Sequence, residues 1–296
     1  MNPLVSIVVI TYNSADFVIE TLESAKSQTY KNIELIISDD SSKDNTLEVC
    51  EKWLAENKNE FVSSTIVRAP KNSGIPANCN RGINAANGEW IKIIAGDDIL
   101  LPGCIQDNIN FTSTNQGAKI VFSNLVAFLD QTDPKEIVGT IKPQNPAFWS
   151  SLSTPEEQYE EMLIKFCGNT PSFFTSADVF LKVSFDEQFP FIEDYPFALN
   201  ATKNGFMFLY QDKDTVMYRK RNNSVVHGSD QTLFGDFHEK SLSFNKMYRY
   251  PALPVKRRKF EEFEYQRKRI LNQLALNKNN ILCRIVNKLS SYVNPY

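Results

Sequence analysis

Apolar runs and helical repeats alternate along the first half of the chain. The runs at 4–11, 33–38, 65–68 and 90–94 are rich in apolar, β-branched residues, which is typical of strands buried on both faces. Between them, apolar residues recur every three or four positions, and this spacing predicts helices. Strands that alternate with helices form a mainly parallel sheet covered by helices. We therefore expect an α/β fold.

The pattern is weaker in the second half of the chain. Residues 131–154 combine several prolines with little periodicity, and we expect a loop region there, able to cover a site. Two closing strands are expected at 207–210 and 216–219, followed by a helical tail. The expected domains are a sheet-based domain at 1–228 and a basic helical extension at 229–296.

The composition is that of an ordinary globular protein. Hydrophobic residues make up 42% and charged residues 23% of the 296 positions, which excludes collagenous and low-complexity classes. No apolar run approaches the roughly 18 residues of a membrane span, and the N-terminus has no basic leader. The five cysteines are far apart and form no C-x-x-C pair, so a disulfide framework is not indicated. We expect a cytoplasmic protein.

The net charge of −3 hides an asymmetry. Residues 246–296 contain twelve Lys and Arg against three Glu, whereas the preceding chain is acidic. A basic tail indicates attraction to an anionic membrane surface or another polyanion, and a solvated helix face is the alternative. Five apolar residues of this tail share one face of a predicted helix: Ile281, Leu282, Ile285, Val286 and Leu289. That face would contact the inner face of the cell membrane, the sheet-based domain or a second subunit in a homodimer.

Polar residues follow the predicted strands. Ligands of an open parallel sheet bind beyond the carboxyl ends of its strands. The first strand ends in Thr-Tyr-Asn at 11–13, the second in Asp39-Asp40 and the fourth in Asp97-Asp98. Carboxylates gathered at one edge repel each other unless a cation or a hydrogen-bonding ligand lies between them. The sequence therefore predicts a divalent metal ion together with a phosphorylated ligand.

Four motifs resemble those of the family-2 inverting glycosyltransferases, which have the GT-A fold. They are P-L-V-S-I-V-V-I-T-Y-N at 3–13, I-E-L-I-I-S-D-D-S-S-K-D-N-T at 33–46, Asn72-Ser73-Gly74 with Asn80-Arg81-Gly82, and Asn87-Gly88-Glu89-Trp90-Ile91 leading to Gly96-Asp97-Asp98. The resemblance is close over about 3–105 and looser to about 227. It implies a GT-A domain with a C-terminal helical extension.

The resemblance also implies an activity. Members of the family move a sugar, with inversion, from a nucleotide diphosphate donor to a hydroxyl group of a saccharide. For this chain it implies a UDP-sugar donor and a glycan or lipid-linked saccharide acceptor, in the synthesis of surface polysaccharides. No nucleic-acid partner is expected.

Site residues can be carried over from the family motif by motif. The implied nucleotide-binding residues are Thr11, Tyr12, Asn13, Asp40, Asn72, Asn80 and Asp97. The implied ligands of Mn²⁺ or Mg²⁺ are Asp98 and Asp97, which share or exchange the ribose and metal roles. Ala95 stands where many members have the first Asp of a D-x-D element. A helix N-cap is the structural alternative for the Asp97-Asp98 pair.

The acceptor side is implied by a second acidic motif. Inverting transfer needs a base that takes the proton of the attacking hydroxyl group, and the resemblance assigns this role to Asp194, with Glu193 as its acceptor-binding neighbour. Both carboxylates could instead cap the following helix. Arg219, Arg221 and His227 resemble the family's loop that closes over the diphosphate, and solvated surface is the alternative.

Two other classes of function remain open at this stage. A non-catalytic or nucleotide-binding homologue is favoured if Asp194 is remote from the metal site. A nucleotidyltransferase-like enzyme would need a glycine-rich, lysine-containing loop after the first strand, and the turn there is Thr-Tyr-Asn-Ser.

Overall fold

A computed structural model describes residues 2–115, 117–130, 135–150, 154–165, 168–220 and 241–273. The chain divides into two compact units, Met1–Lys220 and Arg221–Tyr296. The boundary expected at 228–229 lies outside the described residues. The expected strands and helices of the first unit are found in the predicted order, with the differences given below.

A nine-stranded sheet forms the centre of the first unit. Its strands are β1 (Val5–Thr11), β2 (Ile33–Asp39), β3 (Ser63–Arg68), β4 (Trp90–Ala95), β5 (Ile99–Leu100), β6 (Ile120–Leu129), β7 (Glu136–Ile141), β8 (Phe173–Ser176) and β9 (Phe208–Arg219). The order is β3-β2-β1-β4-β8-β6-β9-β5, and β7 pairs with β6. The first four strands in this order are parallel, whereas β8 runs antiparallel to both β4 and β6. The sheet is therefore mixed and mainly parallel at one end.

Eight helices accompany the sheet in the described part of the first unit. They are α1 (Val18–Lys26), α2 (Thr46–Asn57), α3 (Ile75–Asn84), α4 (Cys104–Thr114), α5 (Pro146–Ser150), α6 (Pro155–Ile164), α7 (Ala177–Phe180) and α8 (Asp194–Lys203). The apolar repeat of α1 explains its position, because Val18, Leu22 and Ala25 are all buried. The α/β prediction is confirmed.

The register of the central strands brings the predicted site together. Thr11 is the partner of Asp39 across β1 and β2, and Ile10 is the partner of Ala95 across β1 and β4. These three strands therefore end at one edge. Strand β9 is parallel to β6, which runs in the same direction as β4, so Arg219 also lies at this edge.

Two strand predictions need correction. The strands expected at 207–210 and 216–219 are one continuous strand, β9, because register shifts opposite Ser123 and Asn124 accommodate the polar residues between them. The region 131–154 was expected to be a loop, yet β7 and α5 lie within it. Strand β7 is exposed along nearly its whole length, so it lacks the alternating pattern that would predict a strand.

The second unit contains the long helix α9 (Val255–Gln273), preceded by a π-helical segment at Asn245–Arg249. The side chain of Arg249 forms an ion pair with Glu261 at 2.9 Å. The prediction of a helical tail is confirmed for 255–273, and the apolar face at 281–289 lies outside the described residues. No helix within the described ranges is both long and apolar enough to cross a membrane.

Gly82 allows α3 to pack closely on the sheet, and its replacement by Ala should destabilise the protein. A Cβ atom at Gly82 would lie 2.3 Å from Cγ1 of Val8 and 3.3 Å from Cβ of Ser38. We expect Gly82→Ala to lower the free energy of unfolding by about 1–3 kcal/mol, because helix and sheet must move apart. Urea denaturation measures this change.

The control for this prediction is Asn84→Ala, in the same helix. Asn84 is exposed, so its replacement should change the free energy of unfolding by less than about 0.5 kcal/mol. Equal stability of the Gly82→Ala variant and the wild type would contradict the close packing of α3.

Candidate functional site

The turn after β1 is held by hydrogen bonds to the turn after β2. The hydroxyl group of Thr11 donates to the Asp39 carboxylate at 3.0 Å, and Ser42 donates to the same carboxylate through its N–H and its hydroxyl group. Asn13 has φ 51° and also takes part, since its side-chain oxygen accepts a hydrogen bond from the N–H of Lys43. Tyr12 is 41% exposed at the tip of the turn. The turn is therefore rigid and presents one aromatic ring to solvent.

Asp40 organises the loop at 72–74. Its buried carboxylate accepts hydrogen bonds from the N–H groups of Ser73 and Gly74, at 2.9 and 2.8 Å, and from the Ser73 hydroxyl group. Arg81 of α3 completes the set with an ion pair of 3.1 Å. The sequence motif contained Arg81, but no role was assigned to it. The role of Arg81 becomes apparent only in the folded protein, where α3 places this side chain beside Asp40 at the end of β2.

Asn72 and Asn80 have different environments. The side-chain oxygen of Asn72 accepts a hydrogen bond from Gly74 within the exposed loop. The Asn80 amide exchanges two hydrogen bonds with the backbone of Phe185 and donates a third to Glu187. The resemblance implied a nucleotide contact for Asn80. Its amide instead supports the loop that leads towards Glu193 and Asp194.

The Asp97-Asp98 pair follows β4 in a tight turn. Asp98 is buried, and its carboxylate accepts a hydrogen bond of 2.9 Å from the N–H of Arg219. The side chain of Asp97 is less buried than that of Asp98. Burial raises the pKa of Asp98 well above its ordinary value, and the neighbouring charge of Asp97 acts in the same direction. Ionisation of both carboxylates is therefore costly unless a cation is present.

Arg219 stabilises this turn from inside the protein. Its side chain is fully buried, donates to the carbonyl oxygen of Asp97 at 2.7 Å, and forms ion pairs with Glu20 and Asp130. The guanidinium group lies 4.8 Å from the ring centres of both Phe17 and Phe128. The resemblance implied a loop residue over the diphosphate, and for Arg219 this placement is wrong because the side chain faces the interior. Arg221 and His227 lie outside the described residues.

The second acidic pair begins α8. The carboxylate of Asp194 accepts a hydrogen bond of 2.7 Å from the N–H of Tyr195, and Glu193 makes no side-chain capping hydrogen bond. Burial raises the pKa of both carboxyl groups, and the charge of Glu193 raises that of Asp194 further. The nearby hydroxyl group of Thr170 acts in the opposite direction on the pKa of Glu193. Helix capping therefore does not account for Glu193.

Tyr218 shows that the two acidic pairs converge. Burial raises the pKa of Tyr218 to about 12, and the charges of four carboxylates add to this effect: Asp98, Asp97, Glu193 and Asp194. Electrostatic effects fall with distance, so all four carboxylates are near enough to Tyr218 to influence its hydroxyl group. The sequence analysis did not single out Tyr218. Its adjacency to Arg219 at the end of a predicted strand was the available signal.

The described residues contain no cluster of three or more His, Cys, Asp or Glu side chains arranged to hold a metal ion. Such a cluster is not required for a cation that is bound mainly by phosphate oxygens, because Mg²⁺ in nucleotide sites commonly uses only one or two protein carboxylates. The Asp97-Asp98 pair supplies hard oxygen ligands whose mutual repulsion a cation would relieve. These residues fit Mn²⁺ or Mg²⁺.

The sequence of this chain is similar to the sequences of known glycosyltransferases. The family Glycosyl transferase family 2 matches residues 6–182, more than half of the chain. WfaP of Escherichia coli, a UDP-Glc:alpha-D-GlcNAc-diphosphoundecaprenol beta-1,3-glucosyltransferase, is 31% identical over 226 residues, which are 75% of this chain and 79% of WfaP. An uncharacterised glycosyltransferase of Methanocaldococcus jannaschii is 26% identical over 249 residues, 83% of this chain and 81% of that protein.

Two solved structures have a similar fold. Residues 1–349 of S. aureus TarS in complex with UDP-GlcNAc give a TM-score of 0.62 at 19% identity, covering 90% of this chain and 72% of that one. The mannosyltransferase PcManGT from Pyrobaculum calidifontis, in complex with GDP-Man and Mn²⁺, gives 0.59 at 13% identity, covering 100% and 81%. At these identities the likeness concerns the fold alone. The prediction of a GT-A fold is confirmed.

The buried position of Arg219 predicts a loss of stability in Arg219→Lys. A lysine keeps the charge but cannot donate to Asp97 and Glu20 while it also pairs with Asp130, and it cannot lie flat between two rings. We expect the free energy of unfolding to fall by about 2 kcal/mol, measured by urea denaturation. Arg68→Lys is the control, because Arg68 is exposed and its Nη1 lies 3.8 Å from Oε1 of Glu51, so this ion pair is weak. If Arg219→Lys left the free energy of unfolding unchanged but weakened diphosphate binding, Arg219 would contact the diphosphate, as the resemblance implied.

Proposed function

The chain belongs to glycosyl transferase family 2, and we propose that it transfers a sugar, with inversion, from a uridine diphosphate donor to a hydroxyl group of a saccharide. The observation that carries this proposal is that the carboxylates of Asp97-Asp98 and of Glu193-Asp194 all raise the pKa of one phenol, that of Tyr218. One pair lies at the strand edge where nucleotides bind to α/β sheets, and the other begins α8. A site with these two parts can hold a donor and activate an acceptor.

The nucleotide side of the proposed site is the edge formed by β1, β2 and the loop at 72–74. The proposed contacts are Thr11, Tyr12, Asn13, Asp40, Asn72 and Arg81. The exposed ring of Tyr12 offers a stacking surface for a base. The Asp40 carboxylate can accept a hydrogen bond from a uracil N–H if one of its present donors, such as Arg81, turns towards the ligand. The names of WfaP and the TarS complexes support UDP, and that of PcManGT makes GDP the alternative.

The metal side of the proposed site is the turn after β4. Asp97 is the proposed ligand of Mn²⁺ or Mg²⁺, because its side chain is less buried than that of Asp98. Asp98 then holds the shape of the turn through its hydrogen bond with Arg219. When bound, the cation would neutralise charge on the departing diphosphate. Ala95 takes no part in this assignment.

The acceptor side of the proposed site is the start of α8. Asp194 is the proposed base, since burial and the charge of Glu193 raise its pKa and make its carboxylate a better proton acceptor. Glu193 is the proposed contact for other hydroxyl groups of the acceptor. Tyr218, with a pKa of about 12, keeps its proton at neutral pH and can donate a hydrogen bond between the two pairs. The convergence of these groups argues against a non-catalytic homologue.

The acceptor class and the location of the enzyme are part of the proposal. WfaP, by its name, acts on a lipid-linked saccharide, and a lipid-linked acceptor in surface polysaccharide synthesis is proposed here too. The basic charges of α9, at Lys256, Arg257, Arg258 and Lys259, support contact with the inner face of an anionic membrane. A homodimer through the C-terminal helices is the alternative use of this unit.

Isothermal titration calorimetry with UDP, GDP and ADP tests the nucleotide and metal assignments. We expect the wild type to bind UDP most tightly in the presence of Mn²⁺, and Asp97→Asn to weaken this binding by about tenfold or more because a hard oxygen ligand is lost. Asp178→Asn is the control, since Asp178 pairs with Lys119 on the surface. Equal affinity for the three nucleotides would contradict the assignment of uracil as the bound base. A preference for GDP would change the assigned base to guanine.

Asp194→Asn tests the proposed base. We expect transfer to fall by about 10²- to 10⁴-fold while UDP binding persists, because the amide cannot take a proton. The assay uses UDP-glucose with a synthetic GlcNAc-α-diphospho-lipid, preceded by a screen of other UDP-sugars for metal-dependent hydrolysis. Glu193→Gln should have a milder effect on transfer. Near wild-type transfer by Asp194→Asn would remove the assignment.

The same variant has an expected signature in stability. A carboxyl group whose pKa is raised by folding stabilises the protein only while protonated, so this contribution is lost as the pH rises through the folded-state pKa. Asp194→Asn removes the titration. Its free energy of unfolding should therefore exceed that of the wild type at neutral pH, and the difference should shrink as the pH falls towards the ordinary pKa of Asp.

A further inference from the structure

The segment that leads to Glu193 and Asp194 has little regular structure. Between α7, which ends at Phe180, and α8, which begins at Asp194, the chain forms turns and irregular backbone. Backbone groups in such a segment need partners outside it, because they are not paired within a helix or a sheet. The position of the acidic pair therefore depends on the contacts that hold this segment.

Asn80 of α3 holds the segment at Phe185. Its Nδ2 donates to the carbonyl oxygen of Phe185 at 2.9 Å, and its Oδ1 accepts a hydrogen bond of 3.0 Å from the N–H of the same residue. Nδ2 also donates to the exposed carboxylate of Glu187 at 2.9 Å. Since Phe185 is only 2% exposed, the loss of Asn80 would remove the partners of two backbone groups where water has little access.

Phe185 connects this contact to α8. Its ring stacks on the ring of Phe197, with 4.7 Å between the ring centres. Phe197 is fully buried and lies three residues after Asp194, about one turn along the helix. Phe180 of α7 packs against the same ring at 5.5 Å. A displacement of Phe185 would therefore loosen the first turn of α8, which carries Asp194.

A second contact from α3 holds the same segment closer to the acidic pair. The N–H of Ile75 donates to the carbonyl oxygen of Pro190 at 3.2 Å, and Pro190 lies three residues before Glu193. Ile75 follows Gly74, whose N–H donates to the Asp40 carboxylate at 2.8 Å. The helix that begins beside Asp40, on the proposed nucleotide side, thus also holds the segment that leads to the proposed acceptor side.

We propose that Asn80 is a positioning residue for the reaction: by holding both backbone groups of Phe185, it fixes the first turn of α8, and with it Asp194, relative to the nucleotide edge. This inference rests on the proposed function for the role of Asp194 as the base, whereas the contacts depend only on the fold. A base must lie within hydrogen-bond reach of the attacking hydroxyl group, and a displacement of about 1 Å can lower the rate by about 100-fold. The amide of Asn80 is occupied by Phe185 and Glu187, so its effect on the reaction passes through Asp194.

The kinetics of Asn80→Ala test this inference. We expect kcat for transfer from UDP-glucose to the GlcNAc-α-diphospho-lipid to fall by about tenfold or more, while the Kd for UDP changes by less than about twofold. A merely structural role would lower the fraction of folded protein, so that transfer and UDP-binding capacity would fall together. That outcome would overturn the inference. Asn84→Ala is the matched control, because it makes the same substitution at an exposed position one turn later in α3 and should change neither quantity.

Two further comparisons show whether the effect passes through Phe185 and Asp194. In the Asp194→Asn variant, Asn80→Ala should lower kcat no further, because no base remains to be positioned, and multiplied effects would overturn the inference. Glu187→Ala removes only the exposed hydrogen bond and should change kcat by less than about twofold. An effect of Glu187→Ala as large as that of Asn80→Ala would overturn the assignment to Phe185.

Hydrogen–deuterium exchange gives a readout that does not depend on the substrates. In the full chain, Asn80→Ala should speed exchange in peptides covering 183–197, because the N–H of Phe185 loses its acceptor, and should leave 33–39 unchanged. Unchanged exchange at 183–197 would overturn the inference by itself. Should Asn80→Ala not fold, Phe185→Leu tests the connection from its other end, since leucine is apolar but cannot stack on Phe197. It should lower kcat and leave the Kd for UDP unchanged.

The two readouts separate the failure of this inference from that of the proposed function. A wild type that neither binds UDP nor transfers sugar would contradict the proposed function, whereas the exchange measurement would still decide whether Asn80 holds the segment. Faster exchange at 183–197 together with an unchanged kcat in the Asn80→Ala variant would overturn the positioning role and leave the proposed function intact.

Discussion

Repulsion between carboxylates at one edge of the sheet is the constraint on which the rest of this structure depends. The two acidic pairs, Asp97-Asp98 and Glu193-Asp194, both influence Tyr218, and burial disfavours the ionised forms of Asp98, Glu193 and Asp194. Such an arrangement persists only where the surrounding structure is rigid enough to maintain it. Arg219 provides much of this rigidity by joining the end of β9, the Asp97-Asp98 turn and α1.

The nucleotide and acceptor sides are also joined through the backbone. The N–H of Ile75 donates to the carbonyl oxygen of Pro190 at 3.2 Å, and a Cβ at Gly74 would lie 2.8 Å from that of Pro190. Asp40 binds the same loop from the other side. A change in the contacts of Asp40 would therefore move the loop that precedes Glu193. Asn80 adds a further connection, because its amide binds Phe185 and Glu187 in the segment that precedes Pro190.

Stability and function make opposite demands at this edge. The raised pKa values of Asp98 and Asp194 mean that the folded protein tolerates charges which an amide or an apolar side chain would avoid. Buried structural charges elsewhere are satisfied differently. Glu34, at the opposite edge, accepts hydrogen bonds from Ser6, Asn87 and Gly88, and its pKa is lowered. The contrast separates a carboxylate that supports the fold from those proposed to act on a ligand.

The sequence by itself determined the α/β class, the positions of the first four strands along the chain and the positions of the acidic pairs, because apolar periodicity and strand ends are local properties of the chain. It also contained the motifs of the family. The tertiary structure decided what those residues contact. Arg219 belongs to a motif that resembled a loop, yet packing between Phe17 and Phe128 turns it inward. The contact of Asn80 with Phe185 spans 105 residues, and no local pattern encodes a contact over such a separation.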